Sequence, residues 1–217
     1  MSIFSWLFPE KCVLCGQILE PEELDLCRAC RSDGPEQPVS KNKYPFLDEW
    51  MALWYYEGDV RRSLLRYKFY GKRHLAGGYA RLLGMRMLTQ EWTDFDVLTW
   101  IPISRKRLRR RGFDQVQLLA EKLGGELGVI PVATLKKVRH NRAQSGITGY
   151  AQRKANVLGA YQVLNPAAVQ GKRVLLLDDI LTTGATAGEC ARVLLTAGAK
   201  EVKFAAVAAV RQHKTGR

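Results

Sequence analysis

Beyond residue 45 the chain alternates short continuous apolar runs with stretches whose apolar residues recur every three or four positions. The runs MALWYY (51–56), DVLTWIPI (96–103), VIPVAT (129–134), VLLLD (174–178) and VKFAAVAAV (202–210) have the length and the β-branched and aromatic content of strands. Between them the helical period predicts helices at about 76–91, 113–127 and 185–197. Strands without polar alternation, separated by helices, predict an α/β fold with a parallel sheet covered on both faces. Ahead of this region SDGPEQPVSKNKYP (32–45) has three prolines, a glycine and few apolar residues, the composition of a linker. The expected organisation is a small module with its linker over 1–44 and an α/β domain over 45–217. No internal repeat or low-complexity tract interrupts it.

The small module has its own chemistry. Cys12-x-x-Cys15 and Cys27-x-x-Cys30 are two pairs whose short spacers let both thiolates of each pair turn onto one ion, the four-sulfur set of a structural zinc site. Eleven residues separate the pairs, which suits a compact ribbon or knuckle better than a large finger. Two disulfides or an iron–sulfur cluster are the competing readings, and the absence of a secretion signal weighs against the first. Cys190 stands apart; with Thr186, Val193, Leu194 and Ala197 it falls on one helical face and is expected to be buried as a small hydrophobe.

Composition changes the picture in one respect. The 217 residues are 47% hydrophobic and 25% charged, ordinary for a globular chain, but 34 Lys and Arg against 21 Asp and Glu leave a formal charge of +13. That excess favours a polyanionic partner: nucleic acid, a phosphorylated metabolite or an anionic membrane surface. No apolar stretch reaches the roughly 18 residues of a membrane span, and MSIFSWLFPEK has no basic n-region, so a cytoplasmic protein is expected.

The stretch VLLLDDILTTGAT (174–186) is the richest in candidate chemistry. In open α/β sheets ligands bind beyond the carboxyl ends of strands, and Asp178 and Asp179 are expected there, exposed at the end of the 174–178 strand. Thr182, Thr183, Gly184, Ala185 and Thr186 then open a helix whose free N–H groups, positive dipole end and hydroxyls suit a phosphate. Ionised carboxylates are paired acceptors for vicinal hydroxyls, so the stretch as a whole asks for a ribose 5-phosphate. The alternatives are an acidic pair that caps a turn or that holds magnesium. A P-loop is excluded because no lysine follows the glycine.

This string resembles the phosphoribosyl-pyrophosphate motif of type I phosphoribosyltransferases. Together with the double Cys-x-x-Cys, YYEGDVRRSLLRYKFYGKR (55–73), WIPISRKRLRRRGFDQ (100–115), Gln144 and Arg153-x-x-Asn156, it is similar to the ComF/GntX (ComFC) family over nearly the whole chain. The resemblance implies a type I phosphoribosyltransferase-like parallel sheet flanked by helices, with a small zinc module in front. It gives Asp178 and Asp179 to the ribose hydroxyls, residues 182–186 to the 5-phosphate, and Pro102, Ile103, Ser104 and Arg105 to the diphosphate, with Mg2+ accompanying the ligand. Arg139 to Asn156 would form a hood, and no residue is singled out as catalytic. Thr182 occupies the place where purine-salvage members carry an aspartate, which disfavours simple purine salvage. Asp114 stands where the family has asparagine, leaving open what that side chain does.

Nucleic acid is a second expected partner. Residues 105–111 carry six cations in seven positions, and Arg107, Arg109, Arg110 and Arg111 are candidates for single-stranded DNA, although such a run is also the ordinary look of a solvated basic face. Tyr55, Tyr56, Tyr67, Phe69 and Tyr70 interleave with cations as base-stacking residues do, or belong to the core. The resemblance adds a role in natural transformation beside a helicase-like competence ATPase, with the zinc module as its docking surface.

Overall fold

The computed structural model describes residues 9–32, 34–38, 44–139 and 155–211. After a short helix α1 (Arg28–Ser32), the chain runs β1 (Glu49–Tyr55), α2 (Gly58–Phe69), α3 (Leu75–Thr89), β2 (Val97–Trp100), α4 (Arg105–Arg111) and α5 (Gln115–Leu127). It continues through β3 (Leu135–Lys137), β4 (Tyr161–Val163), β5 (Arg173–Leu181), α6 (Ala185–Thr196) and β6 (Glu201–Ala209). The main sheet has the order β1-β6-β5-β2, every pairing parallel, and β3 and β4 form a separate antiparallel pair.

Continuous apolar strands require cover on both faces, and both are covered. One face packs Leu98, Leu175, Leu177 and Val207 against Leu64 and Tyr67 of α2, Tyr79 and Leu83 of α3 and Leu119 and Leu123 of α5. The other packs Val174, Leu176 and Phe204 against Cys190, Ala191 and Leu194 of α6 and against Leu135 and Tyr161 of the small pair. Cys190 is fully buried, as expected of a small hydrophobe on the inner face of its helix.

Three sequence expectations change. The run 129–134 is not a strand. Pro131 has no N–H for a ladder, and the segment lies along β2 through Val132 N–H to the Leu98 carbonyl (2.8 Å) and the Thr99 and Thr134 hydroxyls (2.7 Å apart). Regular pairing begins only with β3. Two helices are additional, α2 and α4. The first buries Val60, Leu64 and Tyr67 at helical spacing, so Tyr67 is core and not a base-stacking residue. The second is the basic tract itself: the Ser104 hydroxyl caps it by accepting the Arg107 N–H (3.3 Å), and Gly112 closes it with φ +75°. Finally, β5 runs on to Leu181, so the two aspartates lie inside the strand and not beyond its end.

Candidate functional site

The four cysteine sulfurs lie within 4.8 Å of one another, and Cys15 and Cys27 are 3.7 Å apart. Four sulfurs at about 2.3 Å from a central zinc stand about 3.8 Å apart along each edge of the tetrahedron, so the cluster has the size of a structural zinc site. All five cysteines are free thiols, which removes the disulfide alternative. Burial raises the Cys12 thiol, yet backbone hydrogen bonds from Cys27, Cys15 and Leu14 together bring it down to about 7. Burial and the neighbouring thiols push Cys30 up. Crowded thiols of unequal acidity are what a metal relieves by displacing their protons.

The knuckle is seated on the α/β core. Arg66 donates to the carbonyls of Val13, Leu14 and Cys15, and the buried Ser63 hydroxyl donates to Val13. Asp25, 5% exposed, is paired with Arg81 of α3. A Cβ on Gly78 would stand 2.3 Å from a Val13 methyl, so the module sits where α3 has no side chain. Lys11, Arg66, Lys72 and His74 line a cleft of about 730 Å³ at this junction, where the positive charge of the lysines and the arginine offsets that of the thiolates.

The second site forms at the carboxyl end of β2. That strand pairs with β5 only as far as Trp100–Leu177, with Ile101 N–H reaching the Leu177 carbonyl at 2.9 Å, whereas β6 follows β5 on to Leu181. Asp178 and Asp179 therefore occupy the stretch where β5 has lost one neighbour, beneath the turn made by Pro102, Ile103 and Ser104. Asp114 ties this turn down. Its Oδ2 accepts the Ile103 N–H (3.0 Å) and its Oδ1 accepts the Val116 and Gln117 N–H groups (2.9 and 3.2 Å), capping α5. The side chain donates to nothing: both oxygens accept, whereas an asparagine would have only one oxygen for the same three donors.

The two aspartates are not a matched pair. Adjacent strand residues point to opposite faces, and Asp179 turns toward α2 and α5, where it is 4% exposed. Lys68 Nζ donates to one of its oxygens at 2.7 Å and Gln115 Nε2 to the other at 2.8 Å. The expectation of two exposed carboxylates is thus corrected: Asp179 is a buried, neutralised anchor. Asp178 lies on the α6 side, half-buried, and accepts the Asp179 N–H at 2.8 Å. Burial, and then the charge of Asp179, push its carboxyl up to about 8, against the pull of Lys68.

Residues 182–186 follow directly. Gly184 has φ +76° and caps α6. A Cβ there would stand 2.1 Å from the Tyr44 ring, so backbone conformation and close approach both require glycine. The Thr183 hydroxyl is buried and has no partner among the described residues. Ala185 is buried and Thr182 and Thr186 are half-buried.

The arginines of α4 divide between two faces. Arg107 and Arg111, one turn apart, are half-buried; Arg105, Arg109 and Arg110 are exposed. Arg111 lies 4.8 Å over the Phe69 ring, its Nε is buried without a partner among the described residues, and it feels the charge of Asp179. The four DNA candidates therefore do not share one surface. The expected hood lies mostly outside the described residues, as do Gln144 and Arg153; at its edges Arg139 donates to the Leu158 carbonyl at 2.8 Å. Lys68 and Gln115 bind Asp179, and Lys137 lies near Asp178; periodicity could not reveal any of them. The first two lie inside the segments 55–73 and 100–115, which carry the family resemblance, and Lys137 had no signal.

Comparison with known proteins identifies two domains in the chain. A family model described as "Phosphoribosyl transferase domain" matches residues 108–216, and one described as "Double zinc ribbon domain" matches residues 3–40. The segment matched by the second model has four cysteines, enough for one four-thiolate ion. DNA utilization protein YhgH of Salmonella typhi is 28% identical over 201 residues, covering 88% of this chain and 87% of that protein. Competence protein F of Haemophilus influenzae is 24% identical over 219 residues, covering 90% and 95%. Competence protein ComFC of Streptococcus pneumoniae is 33% identical over 152 residues, covering 70% of this chain and 64% of that protein. Among solved structures, the allosteric regulatory enzyme of purine biosynthesis aligns with a TM-score of 0.43 at 21% identity, over 64% of this chain and 29% of its own. Phosphoribosylpyrophosphate synthetase from Mycobacterium smegmatis aligns at 0.40 and 26% identity, over 62% of this chain and 34% of its own. Among the described residues no helix is long and apolar enough to cross a membrane.

Proposed function

Because the chain belongs to the phosphoribosyl transferase domain family, in the ComF group that carries an amino-terminal zinc ribbon, we propose that it binds phosphoribosyl pyrophosphate at the open end of β5 and handles single-stranded DNA in the cytoplasm during natural transformation. The observation that carries the ligand is the buried Thr183 hydroxyl with no partner among the described residues, at the amino end of a helix whose cap must be glycine. A buried polar atom left unpaired costs about 1–3 kcal/mol, and a 5-phosphate oxygen would meet it together with the first N–H groups of α6. Asp178 is the ribose acceptor in this reading, and Asp179 holds the floor of the site through Lys68 and Gln115. The turn at 102–104, fixed by Asp114, and Arg105 face the diphosphate. Mg2+ would neutralise the diphosphate, and Asp178, unlike Asp179, has no ion pair among the described residues. A helicase-like ATPase completes the reading as partner, docking on the zinc module.

Asp178→Asn should weaken phosphoribosyl-pyrophosphate binding at least ten-fold in calorimetry, because the amide has lost one acceptor for the ribose hydroxyls. Unchanged affinity would refute the ribose assignment. Transfer chemistry is tested in the same preparation by offering bases, nucleotides and single-stranded DNA and measuring pyrophosphate. Release that needs one acceptor and vanishes in Asp178→Asn marks a transferase.

The DNA term separates along α4. Replacing the outward Arg109 and Arg110 with serine should reduce the slope of log K against log salt for single-stranded DNA by about 1.4, at about 0.7 per lost phosphate contact. Replacing Arg107 and Arg111 should affect phosphoribosyl pyrophosphate more than DNA. A salt slope indifferent to Arg109 and Arg110 removes DNA from that face.

A further inference from the structure

Among the described residues Lys137 is a half-buried cation held by a neutral hydroxyl instead of a carboxylate. Lys137 ends β3 half-buried, its Nζ donating to the Tyr161 hydroxyl at 3.0 Å and lying 4.8 Å from the ring centroid of the same residue. Among the described residues no carboxylate lies within salt-bridge distance of it, although Lys68, Arg81 and Arg192 each have one. Around it stand Arg107 from α4, the neutral thiol of Cys190 from α6 and Asp178 from β5. Tyr161, on β4, is almost fully buried and feels the same three groups together with Asp114. Five elements, together with Asp114 at the head of α5, thus gather a lysine, an arginine, a tyrosine and two aspartates beside the open end of β5. Both carboxyls are pushed up by burial, Asp178 to about 8, Asp114 is taken up by three backbone N–H groups, and among the described residues neither cation has a carboxylate within salt-bridge distance, so the two cations are left without a counter-ion of their own.

A lysine in that position costs stability for the sake of the fold alone. Its surroundings already favour the neutral amine, through burial first and the charge of Arg107 second, and bring it down to about 8. A methionine would fill the same space without that cost. We propose that Lys137 is a direct ligand for a phosphoryl oxygen of the bound phosphoribosyl pyrophosphate, with Tyr161 aiming its ammonium and Arg107 sharing the anion. The inference rests on the proposed ligand of this site and adds to it a residue from the β3–β4 pair, outside the segments that resemblance assigns.

Anion binding must then raise the basicity of the lysine. With burial and Arg107 holding Lys137 down to about 8, part of its side chains are neutral at pH 8, so ligand binding draws in a fraction of a proton at this position. Asp178 acts in the opposite sense, since an ionised carboxylate is the better acceptor for ribose hydroxyls and binding there releases a proton. The lysine contribution is therefore read as the difference between wild type and variants.

The experiment is calorimetry of the full chain at pH 8 in buffers of different ionisation enthalpy, with phosphoribosyl pyrophosphate and, separately, inorganic pyrophosphate. Lys137→Met is expected to weaken both ligands at least ten-fold and to shift the net proton count toward release. Lys137→Arg, charged throughout, should keep most of the affinity while losing the uptake, and it decides the matter if the methionine variant does not fold. Lys122→Ser, on the exposed side of α5, serves as the control and should change neither quantity. Variants that bind both ligands as wild type does, with the same proton count, overturn the role of Lys137 while leaving the ribose and 5-phosphate assignments standing. Wild-type protein that binds neither ligand overturns those assignments and this inference together.

Discussion

Cys27→Ser should strip the protein of its zinc and lower its unfolding temperature by on the order of 10 °C. Elemental analysis of wild-type protein purified without added metal should find one zinc per chain, held by Cys12, Cys15, Cys27 and Cys30. Structural zinc sites contribute apparent free energies of about 10–16 kcal/mol in isolated fingers, where the metal is nearly the whole core. Here the α/β core persists without it, so a smaller part of that figure is expected, roughly 3–4 kcal/mol at about 2–4 °C each for a chain of this size. The loss spreads beyond the knuckle because Val13, Leu14 and Cys12 are part of the core shared with α2 and α3. Zinc uptake should also weaken as pH falls, since protons then compete for the four thiolates. A serine variant with full zinc content, or one that unfolds with the wild type, would sink the assignment.

The second large effect separates the adjacent aspartates. Asp179→Ala should destabilise the protein by about 3–5 kcal/mol in urea unfolding, because it leaves the Lys68 ammonium, 13% exposed, without its counter-charge and frees the Gln115 amide. Lys68→Met combined with Asp179→Leu should recover much of that loss, since replacing both partners with apolar groups leaves no buried charge unpaired. Asp178→Asn should behave in the opposite way. Its carboxyl is raised to about 8 in the folded protein against about 3.9 in an unfolded chain, so the folded state binds the extra proton between those values. Wild-type stability from this group is present at low pH and is lost as pH rises toward about 8. The asparagine variant lacks that loss, and its stability relative to wild type should climb between about pH 4 and pH 8 and then level off. A carboxyl that lowers stability where it stands is what a binding role would account for. Equal stability losses for the two single variants would contradict the division seen across the strand.

How much of this was legible beforehand depends on the range of the interaction. Strand and helix periods are local, so β1, β2, β5, β6, α3, α5 and α6 could be placed to within a few residues. The zinc ligands were equally plain, because Cys-x-x-Cys spacing is itself the geometry of two ligands on one ion. The glycine at 184 could be expected wherever backbone must come close to a partner. The helix α2 was obscured by its aromatic and basic residues, although Val60, Leu64 and Tyr67 have the period of a buried face. The basic tract gave no apolar pattern at all, and its helicity rests on the Ser104 cap and the Gly112 stop.

By itself, then, the sequence determined the parallel alternation, the four-thiolate module and the loop-to-helix turn at 182–186, all of them products of short-range stereochemistry and spacing. Only the tertiary structure decided what each polar side chain meets. Asp178 and Asp179 are neighbours in sequence, yet strand alternation sends one toward Lys137 and α6 and the other to Lys68, 111 residues away. Arg107 and Arg111 turn inward and Arg109 and Arg110 outward because a seven-residue helix has two sides. Pro131 and a single edge bond keep 129–134 out of the sheet, and Tyr44 lies on Gly184 from a segment whose composition had marked it as linker. Side-chain partners at such separations are set by which faces of distant elements pack together, and no local pattern in the chain contains that information.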